Sequence, residues 1–509
     1  MLKGVTQLKR SSTPSYILTL PLLLEQWQKD RLDTDFRVAC DIYNSMRREL
    51  SNRYNQMLKT KKYRYWYKLF RNSKPRSEQR KEAKKQLADL RAAYRLTGED
   101  VEKDIKKYQH HFKKNIHSAV AQKLAAQLWS AFEDMIFGRG KSIHFKKYDD
   151  FTSVEGKSNS TGIVFNNGFV KSNGTAYKAL IKERDIYVQQ ALSCRIKFCR
   201  LQKKFIRGHW KYYVQLILEG TPPVKVTQDG EIKRAVGAGR VGLDIGPQTL
   251  AVVSDKAVKL FELADKIQNI ENELRIINRA MDRSRRMTNR RYFNKDGTVI
   301  KRKPGEIRKW RESNHYKELV VKRKELYRKQ ADIRKQQHNE LANYILSLGD
   351  EIYIENMNFT ALARRAKETT KSEKTGKFKS KRRFGKSIAN KAPAMFVSIL
   401  EKKLNSVGGH LYKVNTMEMK ASQYRHDTMT YKKSKLSERT KEVSGYTVQR
   451  DLYSAFLLMN SAPTLDKPEQ QLCEKTFNNF LVLHSAEVSR LKQLSHTPSS
   501  MGIKSIKIA

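Results

Sequence analysis

The chain has 509 residues, 39% of them hydrophobic, which is enough for several domains with cores of their own. Lysine and arginine number 103 against 52 aspartates and glutamates, a formal net charge of +51 that calls for a polyanionic partner. No apolar run approaches a membrane span and no signal peptide is recognised, so a spanning or secreted protein is not expected, and nucleic acid suits the charge better than an anionic membrane. Cys40, Cys194, Cys199 and Cys473 are too scattered for a disulfide framework, and Cys194 and Cys199 do not form a C-x-x-C knuckle. They read as free thiols of a cytoplasmic protein.

A candidate strand, Tyr16-Ile-Leu-Thr-Leu, follows a Ser-Ser-Thr-Pro loop. From about Asp33, apolar residues at steps of three and four (Phe36, Ala39, Tyr43, Met46, Leu50, Tyr54, Met57) predict a helix. Lys59 to Lys85 is a basic connector interleaved with Tyr63, Tyr65, Trp66 and Tyr67. Those rings suit either base stacking or one face of an amphipathic helix. A second helical pattern runs unbroken from Val101 through Phe112 and Leu124 to Met135 and stops at Gly138. Between Ser142 and Arg240 the period shortens. SIHF, GIVFNNGFV, CRIKFCRL and YYVQLILEG alternate between Gly, Asn and Pro breaks, predicting an antiparallel sheet or barrel punctuated by Lys203, Lys204 and Arg207. Residues 221–239 read as a loop and a domain boundary.

Arg240 to Asp255, RVGLDIGPQTLAVVSD, reads as two strands, Val241–Ile245 and Thr249–Val253, about a Gly246-Pro247-Gln248 turn. Helices are expected from Ile267 to Met281 and from about His315 to Leu348, with NKDG at 294–297 capping a small hairpin between them. Glu351-Ile-Tyr-Ile-Glu355 is a short strand ending in an acid. Residues 361–391 carry twelve Lys/Arg against two Glu and are expected to order on phosphate, with Arg382, Arg383 and Lys386 as candidate contacts. A helix from Pro393 to Val407 leads to a strand, Leu411–Asn415. Residues 420–447 are polar, a further helix starts near Thr447, and the tail holds an amphipathic stretch near Phe477–Leu491.

Three acids stand in comparable settings. Asp244 lies within an apolar strand, where a carboxylate is costly unless paired. It is either a strand-end acid bonded to the turn or a metal ligand. Glu355 closes another strand, and Asp451 sits in the first turn of VQRDLYSAFLLMN, where a helix N-terminus alone favours an acid. Together, on a chain this basic, they suit two hard divalent cations, Mg2+ or Mn2+, about 3.5–4 Å apart, for in-line phosphodiester hydrolysis. The succession of hairpin, strand, helix, strand and helix is the ribonuclease-H arrangement.

GLDIGPQTLAVVSD resembles the first RuvC motif of the TnpB proteins of insertion sequences and the type V CRISPR effectors. IYIENMNFTAL resembles their second motif and VQRDLYSAFLL their third. ESNHYKELVVKRKELYRKQ and FGKSIANKAPAMFVSILEKKL are similar to further family segments. The resemblance is strong over about 239–460. It implies an α+β multidomain protein in which a ribonuclease-H-like (RuvC) α/β nuclease domain follows a β-barrel-like wedge domain with an inserted helical recognition lobe. The implied divisions are wedge 1–20, recognition lobe 21–140, wedge 141–238, nuclease core 239–419, a substrate-loading loop 420–447, and the motif-three helix with the tail, 448–509. Carried over residue by residue, the catalytic, metal-binding acids are Asp244, Glu355 and Asp451. The family's zinc ribbon falls on 420–447, where this chain has no cysteine, so no structural zinc is expected. Ser422-Gln423 and Leu436-Ser-Glu-Arg439 resemble the ribbon's flanks, which makes Gln423 and Arg439 candidate nucleic-acid contacts.

The implied activity is RNA-guided DNA endonuclease with two Mg2+ (or Mn2+) ions and a single RuvC site. The implied partners are a guide RNA, transposon-derived or CRISPR-type and alone or with a second RNA, and target double-stranded DNA, with a monomeric protein and no membrane. Two rivals share these features: a ribonuclease-H-fold transposase or resolvase without RNA guidance, and a guide-dependent DNA binder that does not cut.

Overall fold

The computed structural model describes residues 13–504 apart from 228, 374, 377, 379–383, 434 and 436. Two compact units are present, Met1–Pro223 and Val224–Ala509. Among the described residues no helix is long and apolar enough to cross a membrane.

The first unit is an antiparallel sheet with a helical insertion. β1 (Ser15–Leu23) alternates exposed and buried residues, with Tyr16, Leu18 and Leu20 on the buried face. After it come α1 (Gln26–Lys59), α2 (Lys61–Asn72), α3 (Glu78–Ala93), α4 (Gly98–His111) and α5 (Ser118–Ile136). The chain then forms β2 (Ser153–Glu155), β3 (Ile163–Asn166), β4 (Phe169–Ser172), β5 (Thr175–Ala179), α6 (Ile186–Leu192), β6 (Ile196–Ile206) and β7 (His209–Glu219). The strands are bonded in the order β2-β6-β7-β1-β5-β4-β3. The hydrogen bonds thus define a seven-stranded antiparallel sheet, one of the two arrangements that the alternation in the sequence predicts.

Two sequence expectations change here, and one open alternative is decided. The run Val101–Met135 is two helices. His117 caps α5 with Nδ1, which accepts from the Ala119 N–H at 3.1 Å, and Asn115 in the preceding turn donates to Asp35 Oδ1 at 2.9 Å. Local side-chain bonds outweigh an apolar period that continues through the break. Of the two readings of the basic connector the helical one holds, with Thr60 and Ser77 accepting from the Tyr63 and Arg80 N–H groups at 3.1 and 3.3 Å. Lys203 is a core residue, fully buried, its Nζ 3.3 Å from Asp33 Oδ1 and 3.7 Å from the centre of the Tyr148 ring. Burial of that ammonium depends on the carboxylate and the ring face together.

In the second unit β8 (Arg240–Ile245), β9 (Thr249–Ser254) and β10 (Val258–Glu262) form an antiparallel meander. β10 was not anticipated from sequence. α7 (Gln268–Thr288) and α8 (Asn314–Leu348) lead to β11 (Glu351–Glu355), which pairs with β8 in parallel. α9 (Phe359–Leu362), α10 (Gly385–Lys391) and α11 (Pro393–Ser406) precede β12 (His410–Val414), parallel to β11. The sheet order is β10-β9-β8-β11-β12. Beyond it lie α12 (Thr416–Met419), the hairpin β13 (Tyr424–Arg425) with β14 (Thr430–Tyr431), and the hairpin β15 (Thr440–Val443) with β16 (Tyr446–Gln449). α13 (Arg450–Met459) and α14 (Gln470–Lys492) follow. Thr447 is therefore in a strand, and the helix begins three residues later than expected.

Both faces of this sheet are buried, which is why β8 and β9 read as nearly continuous apolar runs. Val241, Leu243, Ile352 and Ile354 pack on Ala342 and Ile345 of α8 and on Phe396 and Leu400 of α11. Ala251, Val253, Leu260, Tyr353 and Val414 on the opposite face pack with Leu452, Ala455 and Phe456 of α13 and Phe480 of α14. Each large apolar side chain so buried contributes about 1.5–3 kcal/mol.

Candidate active site

Strand alternation decides where the first two acids point. On β8, Val241, Leu243 and Ile245 take the α8–α11 face, leaving Gly242 and Asp244 for the α13 face. On β11 Tyr353 takes the α13 face, and Glu355, two residues on, shares it. The parallel register pairs Leu243 with Ile354, so Asp244 and Glu355 come next, side by side where two adjacent strands end. Strand spacing there is about 4.8 Å.

The third acid arrives on α13. A Cβ on Gly242 would overlap the Ala455 carbonyl oxygen and come within 2.5 Å of the Met459 N, so helix and strand are in backbone contact and only glycine fits. Asp451 is one turn before Ala455, and Asp244 two strand residues after Gly242, advances of about 6 Å in each case. The crossing therefore carries Asp451 to Asp244.

The electrostatics agree with that placement. Burial pushes the Asp244 carboxyl well above the usual carboxylate range, the charges of Asp451 and Glu355 push it further, and the Arg450 guanidinium opposes them. Burial raises Glu355 to about 6. Asp451 is held by arginines: Arg450 donates from Nη2 to Oδ1 at 3.0 Å and from Nε at 3.2 Å, and Arg439 Nη1 lies 3.8 Å from Oδ2.

The start of α13 is itself tightly built. The Gln449 side chain accepts from the Leu452 N–H at 2.7 Å and donates to Met501 O at 3.1 Å, and its own N–H donates to His484 Nε2 at 2.9 Å. Arg450 Nη1 donates to Glu438 O at 2.9 Å, and the Arg450 N–H to Arg439 O at 2.8 Å, tying the β15–β16 hairpin to the helix that carries Asp451. Sequence reasoning missed Arg450, Gln449 and His484. A glutamine preceding an Arg-Asp pair at a helix start was the available signal for the first two; His484 had none.

The expected nucleic-acid residues are spread out. Arg439 reaches the acids and does not pair with Glu438 or Glu442. Glu442 accepts from Thr447 Oγ1 at 2.6 Å, and Glu438 from the Lys435 N–H at 3.2 Å. Gln423 lies beside the first hairpin, its backbone bonded to Lys420 and Lys432. Lys386 is on α10, exposed, 3.4 Å from Glu271 of α7. Arg382 and Arg383 lie outside the described residues.

The stretch 420–447 is two small hairpins closed by side chains. His426 is buried among Tyr453, Phe456 and Phe477, with Tyr453 Oη 2.8 Å from its Nδ1 and 3.1 Å from its backbone N. Asp427 accepts from Arg425 Nη2 at 2.6 Å and from the Ser444 N–H at 2.8 Å, joining the two hairpins.

Among the described residues no three His, Cys, Asp or Glu side chains, as they stand, converge closely enough to enclose an ion. Arg450 occupies an Asp451 oxygen that a cation would need. The donor set nevertheless suits a hard divalent cation: three carboxylates with no thiolate or imidazole among them, one of them strongly disfavoured as an anion by its surroundings.

No protein-family model matches the chain, and no curated protein does. Solved structures are similar to it, two of them as follows. One, described as a cryo-EM structure of the Cas12f1–sgRNA–target DNA complex, shares 11% identity over 89% of this chain and 99% of that chain, with a TM-score of 0.44. The other, a cryo-EM structure of a CRISPR–Cas12f ternary complex, shares 12% identity over 87% and 99%, with a TM-score of 0.23. Both scores lie below one half, so the functional reading rests on the chain's own residues.

Proposed function

We propose that this chain is an RNA-guided DNA endonuclease of the TnpB and type V effector kind, whose nuclease site is formed by Asp244, Glu355 and Asp451. The observation that carries the nuclease reading is the crossing at Gly242, which delivers a third carboxylate to two that already share a strand edge. The sheet order, with β9 antiparallel between β10 and β8 and two strands added in parallel, supports a ribonuclease-H-like reading of this domain. RNA guidance follows from the resemblance of the three motifs.

Asp244, Glu355 and Asp451 would hold divalent Mg2+ or Mn2+, which supplies an activated water and charge stabilisation on the leaving oxygen. The chain's own contribution is positional. β8 and β11 fix two carboxylates on rigid strands, and α13 fixes the third. Arg439 offers a planar fork for a phosphate beside the acids, and the two hairpins of 420–447 form the loop that presents the strand.

The test is to sequence the RNA that co-purifies with the chain and assay Mg2+-dependent cutting of a DNA matched to it. Guided cutting that Asp244→Ala abolishes is expected, with guided binding retained because backbone contacts elsewhere supply most of the affinity. Cutting of unmatched DNA without any RNA would favour the resolvase reading.

A further inference from the structure

The segment 289–313, between α7 and α8, was anticipated only as a capped hairpin. It is a folded knob. Asn289 is buried and zips its two ends, donating from Nδ2 to Arg311 O at 2.9 Å and accepting from the Arg311 N–H at 2.8 Å. Trp310 forms its centre, with Tyr292 and Phe293 edge-on at 5.0 and 5.7 Å between ring centres and the Arg285 guanidinium 4.1 Å over its ring. α7 and α8 pack antiparallel through Ile270, Leu274 and Leu326. The 21 residues of α7 carry the knob about 30 Å from the end of β10.

The knob's surface is basic, with nine Lys/Arg against three Asp/Glu over 289–313. Of the acids, Glu306 is taken by Arg308 at 2.6 Å, and Asp296 by Thr298 at 2.7 Å. Among the described residues Lys295, Lys301, Lys303 and Lys309 are exposed and have no acidic partner. So many unpaired ammonium groups on a small folded body repel one another unless a polyanion covers them.

We infer that this knob is a docking surface for the phosphate backbone of double-helical RNA, a stem of the folded guide; the inference rests on the function proposed above. The aromatic side chains argue against a single-strand site, because stacking on unpaired bases needs free ring faces, whereas Arg285 of α7 lies over Trp310, Arg308 lies over Tyr292 and the two rings meet edge-on. What remains outward is point charge together with three exposed apolar residues, Val299, Ile300 and Ile307. Exposed lysines and apolar side chains on one small body suit the wide, shallow minor groove of an A-form duplex, where riboses and phosphates are within reach.

The test uses the full chain freed of co-purifying nucleic acid by high salt, with three probes of one sequence: a 20-base-pair RNA duplex, the corresponding DNA duplex and the single-stranded RNA. Changing Lys295, Lys301, Lys303 and Lys309 together to Gln should weaken RNA-duplex binding at least tenfold and flatten its salt dependence by about 0.9 in log–log slope for each phosphate no longer neutralised. Binding of the DNA duplex and the single strand should change less than threefold, and the same four positions as Arg should bind like wild type. RNA-duplex binding unaffected by the Gln changes, or DNA-duplex binding weakened equally, overturns the inference. If wild type still cuts guided DNA in that event, the proposed function stands without the knob. If wild type shows no guided cutting yet the Gln variant loses RNA duplex, the knob stands and the endonuclease reading falls.

Discussion

Gly242 lies so close beneath the Ala455 carbonyl that no side chain fits between strand and helix. This contact sets the spacing of the acids, since Asp244 lies two residues beyond Gly242 on the strand and Asp451 one turn before Ala455 on the helix. Gly242→Ala must push α13 off the sheet or bend the strand, at a cost of about 1–3 kcal/mol for an overpacked core. Calorimetry should show a melting temperature lower by several degrees, and DNA cutting should fall more than stability alone requires. An unchanged melting temperature with full cutting would mean that the crossing does not set the site.

Asp244→Asn should stabilise the chain when no divalent cation is present. Burial and two neighbouring carboxylates raise the folded-state pKa of Asp244, so the folded chain holds the proton more tightly than the unfolded one and ionisation at neutral pH opposes folding. Glu355 acts with the same sign: between the ordinary value near 4.3 and about 6, stability falls as pH rises. Melting curves at pH 7.5 in chelator should place the Asn variant above wild type. Millimolar Mg2+ should raise wild type and move the variant little, while the variant cuts no DNA. A variant that melts lower than wild type in chelator counts against this account.

The two strand acids were legible because a period of two fixes which face a residue takes, and Asp451 because the apolar run Leu452–Met459 places it in the first turn of a helix. Other features were not local. β10 is five residues, VKLFE, with no long alternation to announce it. The break between α4 and α5 is hidden because Phe112 and Ile116 keep the helical period across it, while His117 starts a new helix as its cap and Asn115 in the turn is drawn to Asp35 of α1. Arg450 reads as a solvated charge until the fold brings the Glu438 carbonyl and Asp451 to it. The 30 or so residues of 420–447 read as polar loop because their core is borrowed: His426 and Tyr424 pack on α13 and α14.

Arg439 is expected to act on the substrate. Its guanidinium is 3.8 Å from Asp451 Oδ2, too long for a strong hydrogen bond, so it is available to a phosphate. A lysine cannot reproduce the two parallel donors of the fork. Arg439→Lys should slow single-turnover cutting by roughly tenfold, about 1.4 kcal/mol of barrier, with guide RNA affinity unchanged. Arg439→Ala that cuts at the wild-type rate would reduce this residue to packing against Gly502.

Acid should loosen the helix that carries Asp451, and His484 is the reason. Its ring is buried, and Nε2 accepts the Gln449 N–H at 2.9 Å, so the bond requires an unprotonated Nε2. Burial lowers its pKa to about 4. A histidine depressed in this way takes up its proton more readily when unfolded, so stability is lost as pH falls below the ordinary value near 6.5, by about 1.4 kcal/mol per pH unit until about 4. His484→Gln keeps an oxygen acceptor for the Gln449 N–H and removes the titration. Melting temperatures measured from pH 7.5 to 4.5 should fall more steeply for wild type than for the Gln variant, with the curves diverging below about pH 6.5. Carboxylates elsewhere titrate in both proteins and cancel in the comparison, so parallel curves would show that the cap of α13 does not depend on this histidine.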